Sequence, residues 1–86
     1  MNRYNVVAAD PVTGIVAVQD EQGHCHLGRA QAVVPKGGDV LLGPALGVGP
    51  QTLRLAPAEA PCPLVVVLLD CDPEVAKLVV AVPAPA

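Results

Sequence analysis

His24 and His26 are the only histidines of the 86-residue chain, and they stand either side of Cys25 in the stretch GHCHLG. On a β-strand successive side chains point to opposite faces, so His24 and His26 share one face and Cys25 and Leu27 the other. Cysteine and leucine are commonly buried, which assigns Cys25 and Leu27 inward and leaves both histidines on the wet face. Imidazoles two residues apart can converge on one Zn, Cu or Ni ion. Two ligands do not close a site, because a structural zinc takes four protein ligands and a catalytic zinc usually three plus water. The rest would come from Cys62, Cys71, Asp70 or Asp72, or from a second copy related by a two-fold axis. There is no C-x-x-C and no H-E-x-x-H. The sequence therefore favours a solvated histidine pair beside a turn, with metal binding through His24 and His26 as the alternative.

Other chemistry is thinner. In DCD, Asp70 and Asp72 fall on one strand face and Cys71 on the other. The two carboxylates would raise the Cys71 pKa rather than activate the thiol. Cys62 sits between two prolines. Each cysteine reads as an inert thiol. Asp20 and Glu21 belong to a turn, and Asp70 and Asp72 to a turn or cap. The glycines of PKGGD and GVGP match no phosphate-binding loop. No complete nucleophile–base or metal set is legible, so the expectation is a protein without enzymatic activity.

Composition points toward association. The chain is 52% hydrophobic and 15% charged, against a usual charged share of about 25%. One short domain buries a smaller share of its surface than a large one, so part of this apolar material is expected in a homo-oligomer or partner interface. There is no Phe or Trp, Tyr4 is the single aromatic, and the net charge is −3. Arg3, Arg29, Lys36, Arg54 and Lys77 are scattered. These features disfavour nucleic acid and anionic membranes as partners. The apolar run at residues 64–69 is far shorter than the ~20 residues a membrane span needs. MNRYNVVAAD lacks the apolar core of an export signal, so a cytoplasmic protein with reduced thiols is expected.

The elements that must position these residues read as strands. RYNVVAA, IVAVQ and HCHLGRAQAVV are separated by DPVTG and DEQG, turns too short for parallel crossovers. VLLG and QTLRLA follow, split by the loop PALGVGP. PAEAPCP reads as an extended connector, and LVVVLLD as a strand buried on both faces. After it, Asp72, Pro73 and Glu74 suit a helix start, but VAKLVVAV is rich in valine and is read as a further strand. VPKGGDVLLG resembles in part the Gly-Asp turn of biotinyl and lipoyl carrier domains. Here Val40 follows Asp39 directly, Gly43 comes one position early and the lysine hairpin is absent, so carrier function is not implied.

The expected fold is mainly β: a small antiparallel barrel or sandwich of about six or seven short strands, with one short C-terminal helix as a variant. Residues 1–82 form the domain and 83–86 a frayed Pro/Ala tail. The expected function is a self-associating interaction module, recruiting partners by strand addition at an exposed sheet edge.

Overall fold

The computed structural model describes residues 2–72 together with Glu74 and Ala76. Six strands are present among them: β1 (Asn2–Ala9), β2 (Ile15–Gln19), β3 (Cys25–Ala30), β4 (Val40–Gly43), β5 (Gly49–Leu55) and β6 (Ala60–Cys71). They close into an antiparallel barrel in the order β1-β2-β3-β6-β5-β4, with β4 pairing back onto β1. Two three-stranded meanders, β1–β2–β3 and β4–β5–β6, thus meet along the seams β3–β6 and β1–β4. Closure gives each of the six described strands a neighbour on both sides, so none of them is an edge strand of the kind that strand addition uses.

Val6, Val16, Val18, Leu41, Leu53, Leu64, Cys62 and the Tyr4 ring pack together as the barrel core. Alternation along the strands places these side chains inward. A second layer, Ala17, Cys25 and Leu27 with Val7, Ala8, Ile15 and Cys71, lies on the outer face and packs against Ala76. The inward assignment of Cys25 and Leu27 is therefore inverted. His26 lies opposite Val18 and Gly28 opposite Val16, so His26 and Gly28 face the interior. Cys25 and Leu27 are buried from outside. Both faces of β3 are covered, and residue-type preference cannot tell them apart.

Three shifts in register bend the sheet. β1 gains one residue on β2 between Val6 and Ala8. β6 gains two on β3: Leu27 lies opposite Leu68, but Gly28 opposite Val66 and Cys25 opposite Cys71. Extra residues of this kind coil a strand and tighten its twist, which a small closed barrel requires. They also break alternation. Val67 and Leu68 are both exposed although they are consecutive, so β6 is not buried on both faces as its composition suggests.

The 12-residue β6 starts at Ala60 and absorbs most of the supposed proline connector. Pro63 accepts a hydrogen bond from the Gln31 amide through its carbonyl, so its backbone polar side faces away from β5. β3 ends at Ala30, opposite Leu64, so the missing proline N–H groups at Pro61 and Pro63 cost no ladder bond to β5. Beyond β6, Glu74 and Ala76 are helical, against the strand expected there. Asp72 caps this turn: its Oδ1 accepts from the Glu74 amide at 2.9 Å, and its carbonyl from the Ala76 amide at 2.9 Å. An Asx cap of this kind favours a helix start. The tail at 83–86 and the rest of 73–82 lie outside the described residues. No helix among the described residues is long and apolar enough to cross a membrane.

Candidate functional site

The β2–β3 turn supplies the first component. Asp20 opens it, and Gly23 closes it with φ 88°, a conformation that favours glycine. The Gly23 amide donates to the Asp20 carbonyl, and the Asp20 amide to the His24 carbonyl. Asp20 Oδ1 accepts from the amides of Gln22 (3.0 Å) and His24 (2.9 Å). Its other oxygen, Oδ2, lies 2.9 Å from His26 Nε2.

The second component comes from the far strand. The Asp70 amide donates to His26 Nδ1 at 3.1 Å. An acceptor Nδ1 carries no proton, so the imidazole proton sits on Nε2 and is donated to Asp20. Both ring nitrogens are committed to protein. Asp70 holds φ 54° at the extra residue of β6, a left-handed conformation rare outside glycine. The hydrogen bond to His26 and the cross-strand pair at Cys71 hold it there. The Tyr4 ring meets the His26 ring edge-on at 6.3 Å, and its hydroxyl donates to the Pro44 carbonyl at 3.0 Å.

His24 completes the cluster from outside. Its exposed ring puts Nδ1 3.5 Å from Asp70 Oδ1 and 3.9 Å from Asp20 Oδ2. The two histidines thus converge on Asp20, but with opposite surroundings, His24 in solvent and His26 only 6% exposed. This corrects the picture of two histidines sharing a wet face. Below them lies a cavity of about 340 Å³ at the barrel end, lined by Tyr4, Asp20, Glu21, His26, Leu46 and Asp70 among others, with no lysine or arginine among the described lining residues.

Burial pushes the Asp20 carboxyl up, but hydrogen bonds from His26, the His24 amide and the Gln22 amide outweigh it and hold the group below the usual carboxylate range. Burial raises the Tyr4 hydroxyl, against the lowering effect of its hydrogen bonds. Burial likewise raises the Cys62 thiol. Cys71 is raised by burial first, with Asp72 and Asp70 adding to it, the direction expected from the DCD sequence.

Of the residues singled out by sequence, the structure gathers His24, His26 and Asp70. Asp72 caps the helical turn instead, Cys62 lies in the barrel core, and Cys71 is on the outer face. Among the described residues no group of three or more His, Cys, Asp or Glu side chains is arranged to hold a metal ion. Asp20 and Tyr4 were not anticipated as partners of the histidines. The signal for Asp20 was present: an aspartate opening a short turn caps amides two and four residues on, and here its second oxygen is left for His26. Both nitrogens of the His26 ring are engaged by protein groups, and the neighbouring Tyr4 hydroxyl donates to a carbonyl. What this arrangement does is tie the β2–β3 turn to the β6 bulge. The chain matches no protein-family model, no curated protein and no solved structure.

Proposed function

We propose that this protein is a non-enzymatic β-barrel module that self-associates through the outer face of β6 about Val67 and Leu68. The observation that carries this reading is the pair Val67 and Leu68, 57% and 45% exposed, which the register shift turns outward together. They adjoin an apolar groove of about 350 Å³ lined by Ile15, Leu27, Gly28, Val67, Thr13 and Arg29. Val48, itself 72% exposed, directly precedes Gly49, which pairs with Val66 one residue before Val67. Adjacent apolar side chains on a surface whose chain is only 15% charged are what an interface between copies uses. A two-fold contact puts the same patch on both partners, so a patch with little charge is self-complementary without further design. Sedimentation velocity over a dilution series tests it. The wild type dissociates from a dimer or higher species, and Val67→Asp is monomeric with unchanged circular dichroism.

A second reading is metal binding, favoured by the approach of His24 to Asp70 and Asp20. His24 is the available ligand, since His26 would have to release Asp20 or the Asp70 amide to join it. The remaining ligands for Zn, Cu or Ni would come from a second copy. Native mass spectrometry with added metal, on wild type and His24→Ala, decides it: stoichiometric metal lost in the variant supports this reading, and a metal-free wild type refutes it.

A further inference from the structure

Cys25 and Cys71 face each other across the β3–β6 seam. Without the extra residue at Asp70, strict pairing from Leu27 and Leu68 would set Asp70 opposite Cys25. The bulge brings Cys71 there instead. Directly opposed residues of an antiparallel pair have Cα atoms about 4.5 or 5.5 Å apart, inside the roughly 4.4–6.8 Å range that a disulfide spans. Their side chains share a face, and both belong to the outer apolar layer. Cys71 Sγ already leans across the seam, 3.3 Å from the Cys25 carbonyl oxygen. The third cysteine, Cys62, is in the barrel core and bonds toward Val33.

The geometry points to Cys25 and Cys71 as a covalent modification site, a reversible cross-strand disulfide formed by exchange with a low-molecular-weight disulfide such as oxidised glutathione. Cys71 is half-buried and Cys25 fully buried, so Cys71 is the entry point. The Cys71 thiolate attacks one sulfur of the oxidant, and one glutathione thiolate leaves. The Cys25 thiolate then attacks Cys71 Sγ and displaces the second. The two cysteines give up two protons and two electrons, and the oxidant becomes two thiols. The reverse exchange with reduced glutathione reopens the bond. Closure pins the bulge that carries Asp70, and with it the amide that holds His26.

The test is incubation of the folded, full-length protein with oxidised glutathione, alkylation of remaining thiols, and intact-mass and fragmentation analysis. The expected product is a single chain that has lost two hydrogens and, on unfolding and alkylation, takes up one alkyl group, at Cys62, with fragmentation of the linked peptides placing the bond at Cys25–Cys71. Dithiothreitol before alkylation restores the starting mass. Cys71→Ser stops at no mass loss, and the wild-type mapping stands should that variant not fold. A persistent glutathione adduct without closure, a Cys25–Cys62 link, a covalent dimer, or no change of mass would each overturn the assignment.

Discussion

The amide of Asp70 donates to Nδ1 of His26 across the β3–β6 seam, at 3.1 Å, so a bulge in one strand sets the tautomer of a histidine in another. The opposite ring nitrogen then binds Asp20 at 2.9 Å. One imidazole thereby joins the β2–β3 turn to a bulge 44 residues further along the chain.

Removing that imidazole should be costly. His26→Ala leaves Asp20 Oδ2 and the Asp70 amide without this partner and opens space beside Tyr4. A loss of about 2–4 kcal/mol is expected in urea unfolding. His26→Gln, which keeps an acceptor and a donor, should recover part of it.

Acid should weaken the fold through Asp20. Its folded carboxyl lies below the unfolded value. Its contribution is therefore fully present above about pH 4 and is lost as pH falls through the folded value, where the carboxylate protonates. Urea midpoints measured from pH 7 down to pH 3 should fall, and Asp20→Asn should show a shallower acid limb than the wild type.

Glycines in the second meander should separate cleanly. A Cβ on Gly43 would collide with the side chain of Leu53, which is fully buried in the barrel core. Around Gly47 there is open space and no positive φ. Gly43→Ala should cost about 1–3 kcal/mol, while Gly47→Ala stays within about 0.5 kcal/mol of wild type. Thermal unfolding of the two variants side by side checks this.

Cys71 should react slowly at neutral pH. Burial first, and then Asp72 and Asp70, raise its thiol. Its alkylation by iodoacetamide, followed by peptide mapping, should still be accelerating at pH values where an exposed cysteine has levelled off. Asp70→Asn should move that rise to lower pH.

Much of the barrel was legible. The limits of β2 and β4 coincide with IVAVQ and VLLG, because strong turn residues bracket each run. β6 was misjudged at both ends for physical reasons. Pro61 and Pro63 suggest a break, but they lie where β6 pairs on one side only. Val67 and Leu68 suggest two-sided burial, but the register shift puts both outside. That same feature hid the site. Whether Asp70 lies near His24 depends on two extra residues in β6, and a bulge leaves little mark in a single sequence. The choice of inner face on β3 failed because Ala76, from beyond β6, covers the outer one.

The central claim is that β6 presents an apolar face to a second copy of the chain. Sedimentation velocity of wild type and Val67→Asp, from high to low micromolar concentration, addresses it most directly. The account predicts a concentration-dependent oligomer for the wild type and a folded monomer for the variant. A wild type that sediments as a monomer at every concentration would contradict it.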